Sequence, residues 1–346
     1  MESTETLPRD RGFHLLRVRR IIDETRDARS ILFEVPAVLA DAFRYQAGQF
    51  LTLEVPVDGV TLRRCYSLAS APYEGEHRVT VKRVAGGRVS NQLCESLRVD
   101  DELAVKPPEG RFVLTGTEAP LSLFAGGSGI TPVISLLKSA LVETRRPIRL
   151  FYANRTERAV IFRDELDGIA RAHADRVEIM HHLDDVHGLV TRGVLRGDAS
   201  EDHYVCGPAP FMDAVERALG AAGVDPQRVH VERFVSPADP GARVAVADAA
   251  DGDTPALIEI SLKGRRASVP YTPGTTILRA ALDAGMDAPY SCEEGFCGCC
   301  VAQLTEGQVV MAADDALTAD EKRRGLVLTC QARPRSRRCA VEYLDG

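Results

Sequence analysis

The sequence predicts three domains of different fold class: an antiparallel β-barrel, an α/β domain with a parallel sheet, and a smaller domain built around a cysteine loop. Three observations carry this prediction. Short β-rich runs fill the first third of the chain, strands alternate with helices through the second third, and most of the nine cysteines crowd the last sixth. A chain of 346 residues has the length for two or three ordinary domains.

The barrel is predicted from the strand pattern of the first region. Its β-rich runs at 30–35, 50–55 and 78–84 are separated by turn-forming sequences rich in glycine. Several short strands at this spacing are typical of a small antiparallel barrel. We therefore predict a β-barrel domain over residues 1–116.

The second region changes to an alternation of strands and helices. An apolar strand at 121–125 leads through a glycine-rich turn into a helix at about 132–143, and a second buried strand follows at 148–153. The alternation continues to about residue 221. It predicts a parallel sheet covered by helices, and we place this α/β domain at residues 117–236.

A linker and a third domain follow. Residues 237–255 are rich in Ala, Asp, Pro and Gly without periodicity, which is typical of an exposed linker. Strands are then predicted at 256–262 and 266–269, and a helix at 275–284. The cysteine loop comes after this helix, so we place the third domain at residues 256–346.

Charge and hydropathy exclude some classes of protein. The formal net charge of −7 argues against general nucleic-acid binding, which needs a basic surface. No apolar run approaches the roughly 20 residues that span a bilayer, and residues 1–11 lack the apolar core of a signal peptide. We expect a cytoplasmic protein that binds neither nucleic acid nor membranes, and we expect it to be a monomer.

The cysteine spacing predicts a metal site. Cys292, Cys297 and Cys300 follow the pattern C-x4-C-x2-C, and Cys330 lies far downstream. This is the spacing of a plant-type [2Fe–2S] cluster, whose two irons are held by four thiolates. Thiolates are soft ligands that suit iron–sulfur chemistry. We predict these four cysteines to be the cluster ligands.

Two other interpretations of the loop stay open. Structural zinc is one, although a zinc site usually has paired C-x2-C knuckles and a second knuckle is missing here. Ordinary buried cysteines are the other. In the cluster interpretation, Gly295 and Gly298 let the backbone turn closely enough for amide groups to face the sulfurs. Cys299 is out of register, so we interpret it as a packing residue.

Two weaker motifs in the barrel region are suited to a flavin. Arg64 can pair with a pyrophosphate, Tyr66 can stack on an isoalloxazine ring, and the Ser67 hydroxyl can hydrogen-bond near the flavin N5. Ser90 lies at the start of a helical stretch, where N–H groups can hold a pyrophosphate. Taken singly, each is also typical of a plain strand or a capped helix.

The α/β region carries a phosphate-binding pattern. Gly127 and Gly129 follow an apolar strand, and Thr131 and Pro132 open a helix. The pattern departs from G-x-G-x-x-G because Pro132 replaces the third glycine, which the first turn of a helix accepts. A lone glycine loop is weak evidence, but the strand–loop–helix context strengthens it.

Two further segments of this region can reach a ligand. Cys206, Gly207 and Pro208 follow a later strand of the predicted sheet, and ligands bind at the carboxyl ends of such strands. Glu232 and Phe234 end the domain, where Phe234 can cover a flavin face until nicotinamide displaces it. The alternative for Phe234 is a simple residue of a terminal strand.

In this order the motifs resemble the ferredoxin–NADP reductase superfamily up to about residue 236, and a plant-type ferredoxin from about 255 onwards. The arrangement, with the ferredoxin last, is similar to that of bacterial oxygenase reductases, and it covers nearly the whole chain. The segments that carry the resemblance are residues 64–68, 125–132, 152–155 and 330–334. The resemblance implies a β-grasp fold for the third domain, and FAD, a [2Fe–2S] cluster and NADH as cofactors, with NADPH possible.

The resemblance also implies roles for individual residues. It places Ser67, Cys206, Glu232 and Phe234 at the hydride-transfer centre; the family often has Tyr where Phe234 stands, so the hydroxyl is lost and the ring kept. The implied cofactor-binding residues are Arg64, Tyr66, Ser67, Val81, Lys82, Arg83 and Ser90 for FAD, and Gly127, Gly129, Thr131, Pro132, Cys206, Gly207 and Pro208 for the nicotinamide dinucleotide.

By the same resemblance, the chain is an electron-transfer oxidoreductase. NAD(P)H passes a hydride to the flavin, the flavin releases electrons singly to the cluster, and the cluster passes them on. The implied partner is a terminal oxygenase, either a steroid-ring or another Rieske-type hydroxylase. The alternative is the reductase of a phenylacetyl-CoA-type diiron oxygenase. A remote alternative is a non-catalytic metal-binding protein, which leaves the flavin and nicotinamide motifs unexplained.

The choice between NADH and NADPH depends on the second strand of the parallel sheet. Arg155 and Arg158 follow it, where a guanidinium can meet a 2′-phosphate. They are equally typical of solvated surface charges. The resemblance favours NADH.

Overall fold

The computed structural model describes residues 12–234, 254–314 and 316–344. They form two compact units, the first ending at Arg233 and the second beginning at Phe234. Residues 235–253, which hold most of the predicted linker, lie outside the described residues. Each unit is described by itself.

The first unit begins with the predicted antiparallel barrel. Six strands pair in the order β4-β3-β6-β1-β2-β5, and a bridge between Leu68 and Val79 joins the end of β4 to β5 and closes the sheet on itself. Its interior is lined by alternate apolar residues, as expected of strands with one buried face. The elements are β1 (His14–Thr25), β2 (Ala28–Glu34), β3 (Phe50–Val57), β4 (Val60–Ser67), β5 (His77–Lys82), α1 (Arg88–Glu95) and β6 (Glu102–Glu109).

The second part of this unit is the predicted α/β fold. Five parallel strands have the order β11-β10-β7-β8-β9. The chain enters at the central strand β7 and later returns to its other side at β10. The elements are β7 (Leu121–Gly126), α2 (Ile130–Glu143), β8 (Ile148–Asn154), α3 (Arg163–Ala172), β9 (Val177–Leu183), α4 (Asp184–His187), β10 (Asp202–Gly207), α5 (Ala209–Ala221) and β11 (Val229–Arg233).

The barrel and the parallel sheet share one hydrophobic core. Ala28, Ala69 and Phe112 of the barrel side pack in the same cluster as Leu123 of β7 and Ile134 of α2. Burying apolar area at about 25 cal/mol per Å² is the main favourable term in such packing. The barrel is therefore fixed relative to the carboxyl ends of the parallel strands.

The second unit is a five-stranded mixed sheet in the order β13-β12-β18-β14-β16, with a separate two-stranded sheet. Its first strand, β12, pairs in parallel with its last strand, β18, and the helix α6 packs on the sheet. This is the predicted β-grasp arrangement. Its elements are β12 (Leu257–Leu262), β13 (Arg265–Pro270), α6 (Ile277–Asp283), β14 (Val301–Glu306), β15 (Val309–Met311), α7 (Ala319–Arg323), β16 (Leu326–Leu328), β17 (Ala332–Pro334) and β18 (Ala340–Tyr343).

The predicted fold class is confirmed for all three parts. Across the described ranges, no helix combines the length and the apolar character needed to cross a bilayer.

Candidate functional site

The two glycine motifs of the parallel sheet meet at the carboxyl ends of β7 and β10. Ala125 pairs in register with Cys206. A methyl group placed on Gly129 would lie 2.2 Å from the carbonyl oxygen of Cys206, and one on Gly207 would lie 3.0 Å from the Cα of Gly126. The loops therefore approach backbone to backbone, with no space for a side chain between them. This edge of an α/β sheet, beside its central strand, is where nucleotides bind.

The glycine loop turns directly into α2. Gly127 has a φ of +53°, a conformation that glycine adopts without strain. Thr131 donates a hydrogen bond from Oγ1 to the carbonyl oxygen of Ser128 at 3.1 Å, and Pro132 is buried in the first turn. The N–H groups of this helix start lie at the strand end, which suits a pyrophosphate.

Tyr152 supports this loop and was not predicted from the sequence as a functional residue. Its hydroxyl donates to the carbonyl oxygen of Gly127 at 3.1 Å and accepts from the N–H of Ile161 at 3.2 Å. The side chain is fully buried, and burial raises its pKa. The sequence did contain a signal for this role, since a tyrosine inside an apolar strand is expected to be buried and a buried phenol needs a hydrogen-bond partner.

Cys206 and Glu232 are register partners on β10 and β11. Cys206 is fully buried in the core shared with the barrel. Burial, and then the charge of Glu232, raises the pKa of its thiol well above the usual range. The thiol therefore stays protonated near neutral pH. Phe234 follows β11, and 44% of its surface is exposed.

The end of β4 carries the residues predicted for the flavin. Ser67 is only 2% exposed, and its Oγ has no hydrogen-bond partner among the residues that the structure describes. Tyr66 precedes it, and burial raises the pKa of its phenol. The neighbouring Arg63 is held by Glu54 at 2.9 Å, whereas Arg64 donates to the carbonyl oxygen of Arg63 at 2.6 Å.

The second predicted flavin segment lies beside α1. Val81 is fully buried in the barrel core, so only its backbone can reach a ligand. Lys82 Nζ lies 3.7 Å from Asp27 Oδ2 and 3.9 Å from the position of a methyl group on Gly127. The Lys82 ammonium therefore lies beside the glycine loop of the α/β part.

Arg83 and Ser90 complete that segment. Arg83 pairs with Glu95 at 3.0 Å. The buried Ser90 hydroxyl accepts the N–H of Val84 at 3.3 Å, which closes the turn before α1, and its hydrogen stays available to donate. A flavin fits this set of residues, because the buried Ser67 hydroxyl has no hydrogen-bond partner among the described residues and the Lys82 ammonium lies beside the glycine loop.

The second unit brings the four predicted cysteines together in two pairs. Burial raises the pKa of Cys292, as does its hydrogen bond with Cys297. A hydrogen bond with Cys300, followed by burial, raises the pKa of Cys330. Within the described parts of the chain, no three His, Cys, Asp or Glu side chains are arranged so that they could hold a single metal ion. The observed two-and-two pairing suits a cluster with two irons, each held by two thiolates.

The cluster loop is shaped by residues with positive φ. Glu293 has a φ of +55°, Gly295 of +82° and Gly298 of +70°. The backbone N–H of Glu294 donates to Cys292 Sγ at 3.3 Å. The loop thus directs amides at sulfur, as the glycine pattern predicts.

Tyr343 and Thr329 support the pair formed by Cys300 and Cys330, and the sequence analysis did not predict this role. The buried Tyr343 hydroxyl donates to Thr329 Oγ1 at 3.0 Å, and Thr329 donates to the carbonyl oxygen of Cys300 at 2.9 Å. Thr329 immediately precedes Cys330. This chain of hydrogen bonds therefore links β18 to the segments that carry Cys300 and Cys330, over sequence distances that no local pattern reveals.

Comparison with known proteins agrees with this architecture. Residues 16–114 match the family described as oxidoreductase FAD-binding domain, residues 123–217 the oxidoreductase NAD-binding domain, and residues 260–335 the 2Fe-2S iron-sulfur cluster binding domain. The chain is 40% identical to the ferredoxin reductase component of 3-ketosteroid-9-alpha-monooxygenase from Rhodococcus rhodochrous, over 99% of this chain and 100% of that protein.

The chain belongs to the family of oxygenase reductase components.

Other members of the family are similar end to end. A component of the 1,2-phenylacetyl-CoA epoxidase from Escherichia coli is 34% identical, over 96% of this chain and 98% of the relative. Among solved structures, phthalate dioxygenase reductase is 28% identical, with a TM-score of 0.60, over 96% of this chain and 98% of that chain.

Family membership confirms the predicted activity and cofactors. This oxygenase reductase is an oxidoreductase that uses FAD, NAD(H) and a [2Fe–2S] cluster to pass electrons from NAD(P)H. The zinc interpretation of the cysteine loop is set aside by the match to the cluster-binding family. The limits of the domains, at 1–116, 117–236 and 256–346, stay predictions, as do the roles of single residues.

Proposed function

We propose that this oxygenase reductase supplies electrons to the terminal oxygenase of a 3-ketosteroid 9α-hydroxylating system. The observation that carries the proposal is the 40% identity over the full length of the Rhodococcus rhodochrous reductase component. The phenylacetyl-CoA epoxidase component is 34% identical over a similar length, so it supports the alternative partner less strongly.

We further propose the residues that hold the cofactors. The flavin is bound by Arg64, Tyr66 and Ser67. The buried Ser67 hydroxyl, which has no partner among the described residues, hydrogen-bonds the flavin. The glycine loop at 127–129 and the Cys-Gly-Pro turn at 206–208 hold the nicotinamide dinucleotide. When bound, the flavin accepts a hydride and the cluster carries single electrons.

We also propose roles for the residues at the ends of β10 and β11 and for the four cysteines of the cluster. The buried, protonated Cys206 offers an apolar surface at the strand end and excludes water, and Glu232 lies beside it in register. Phe234, with a largely exposed ring, is suited to cover a flat cofactor surface. The cluster is held by Cys292, Cys297, Cys300 and Cys330.

Reconstitution tests the proposed partner. The purified holoprotein is combined with NADH, the terminal oxygenase of a 3-ketosteroid 9α-monooxygenase and a 3-ketosteroid, and the hydroxylated product is measured by mass spectrometry. A parallel reaction uses the oxygenase component of phenylacetyl-CoA epoxidase and phenylacetyl-CoA. We expect product in the first reaction and at most a trace in the second. The reverse result assigns the chain to the alternative system.

We also propose NADH as the coenzyme. Arg155 and Arg158 are both exposed after β8, as solvated surface charges are. We expect Arg155→Ala to leave kcat/KM for NADH nearly unchanged, because NADH has no 2′-phosphate for this guanidinium to bind. Steady-state ferricyanide reduction with both coenzymes measures this. The proposal would be contradicted if the wild type prefers NADPH and Arg155→Ala selectively loses the activity with NADPH.

A further inference from the structure

Gln331 directly follows the proposed ligand Cys330 and is only 7% exposed. Its side-chain Nε2 lies 3.0 Å from the carbonyl oxygen of Glu293, 3.1 Å from that of Cys330, and 3.5 Å from Cys330 Sγ. One side-chain amide thus contacts the three-cysteine loop, the downstream cysteine backbone and the downstream sulfur.

The orientation of this amide follows from its neighbours. Carbonyl oxygens only accept hydrogen bonds, so the NH2 group of Gln331, and not its oxygen, faces Glu293 and Cys330. The same NH2 group is therefore the one that lies next to the sulfur. Sulfur accepts hydrogen bonds at longer distances than oxygen does, and a thiolate accepts them more strongly than a thiol.

The loop is built to receive this side chain. A methyl group on Gly295 would lie 2.8 Å from Gln331 Cγ, so a side chain there would displace the glutamine. Glu293 has a φ of +55°, a left-handed conformation that is unfavourable for a residue with a Cβ. The hydrogen bond from Gln331 to the Glu293 carbonyl oxygen offsets that cost and fixes the loop.

We infer that Gln331 is a positioning residue for the cluster, which ties the downstream ligand to the three-cysteine loop and raises the reduction potential by donating a hydrogen bond to Cys330 sulfur. A reduced cluster carries one more negative charge, and a donor at a ligand sulfur stabilises that charge. Hydrogen bonds to the sulfurs are among the factors that set cluster potentials. This inference rests on the proposed assignment of Cys330 as a ligand.

The test is a redox titration of the holoprotein monitored by electron paramagnetic resonance. Gln331→Met keeps the length of the side chain and removes the donor. We expect the equilibrium constant for reducing its cluster to fall about tenfold, a shift of about 59 mV to more negative potential for one electron, with the flavin potential unchanged. We also expect its visible absorption to bleach faster in the presence of a chelator.

The matched control is Gln303→Met in the same unit. Gln303 Nε2 also donates to backbone carbonyl oxygens, at 2.9 Å to Arg324 and 3.1 Å to Leu304. Unlike Gln331, it is not next to a cysteine in the sequence, so we expect the wild-type potential and bleaching rate. A wild-type potential in Gln331→Met, or an equal shift in both variants, overturns the inference.

Two further variants keep the outcomes distinct. If Gln331→Met assembles no cluster, Gln331→Asn, with an amide on a shorter stem, is titrated instead. A lower potential in it supports the inference, and a wild-type potential overturns it. Cys330→Ser tests the ligand assignment separately: an unchanged cluster signal in that variant would show that the assignment itself is wrong.

Discussion

At the scale of single residues, Ser67 is the proposed flavin-binding residue with a buried polar group for a ligand to satisfy. Its hydroxyl is buried at the end of β4 and has no hydrogen-bond partner in the described ranges. A buried polar group without a partner costs about 1–3 kcal/mol. This unsatisfied hydroxyl lies where we propose that the flavin binds, and a ligand there would supply the missing hydrogen bond.

We predict that Ser67→Ala slows reduction of the flavin by NADH about tenfold. The loss corresponds to one hydrogen bond of about 1.4 kcal/mol that aids hydride transfer. Anaerobic stopped-flow absorbance at the flavin band measures the rate. Ser139→Ala is the matched control, because Ser139 Oγ is also buried in α2 without a partner in the described residues. Equal rates in Ser67→Ala and the wild type would remove the proposed role.

At the scale of elements, a partly buried charge network joins the barrel to the α/β part. Arg78 of β5 donates to both carboxylate oxygens of Glu165 in α3 at 3.0 Å. Lys138 of α2 lies 2.7 Å from Glu74 and 3.0 Å from Glu165. Burial alone would raise the pKa of Glu165, but Arg78 and Lys138 together hold it below the usual range. The network therefore fixes the barrel against two helices.

We predict that Lys138→Met lowers the free energy of unfolding of the first unit by about 2 kcal/mol, because it removes the cation that pairs with Glu74 and leaves Glu165 to Arg78 alone. Urea unfolding followed by flavin fluorescence and circular dichroism measures this. Arg163→Met is the control: Arg163 pairs with Glu157 at 2.6 Å on the surface of the same helix as Glu165, and we expect little change. If Lys138→Met lowers the free energy of unfolding no more than Arg163→Met does, the network does not hold the barrel against the α/β part.

The elements themselves were largely predictable from the sequence. Strand and helix positions in the α/β part follow from apolar runs and from glycines at the turns, so β8 and α2 differ from the predicted limits by at most two residues. The cluster loop was predictable because four thiolates at a fixed spacing leave few alternatives. In both cases the signal is local.

The contacts that hold the sites were not predictable. Lys138 and Glu74 are 64 residues apart, Arg78 and Glu165 are 87 apart, and Gln331 reaches Glu293 across 38 residues. None of these pairs has a repeat or a spacing that marks it. They depend on strand order and on which helix face meets the barrel, and these arise only when the elements pack.

At the scale of the whole molecule, buried histidines make stability depend on pH. Burial lowers the pKa of His77, His181, His203 and His230. Above about pH 6.5 these groups are neutral in both the folded and the unfolded chain. As the pH falls below that value, the unfolded chain takes up protons first, so the free energy of unfolding decreases until the lowered folded pKa is passed.

We therefore predict a lower melting temperature for the holoprotein at about pH 5.5 than at about pH 7.5. His230→Phe should weaken this dependence, since the ring keeps its stacking on Tyr204, at 4.5 Å between centroids, and no longer titrates. Calorimetry of both proteins at both pH values provides the measurement. Parallel pH dependence in the variant and the wild type would rule out the contribution of His230.

We propose that electrons pass from NADH through the flavin to a cluster held by Cys300 and its three partner cysteines. Steady-state reduction of ferricyanide and cytochrome c by the wild type, Cys300→Ser and the neighbouring Cys299→Ser tests this electron path. We expect Cys300→Ser to keep ferricyanide reduction and to lose cytochrome c reduction, while Cys299→Ser keeps both. The proposed path is wrong if the flavin-loaded wild type reduces neither acceptor, or if Cys299→Ser is the variant that loses cytochrome c reduction.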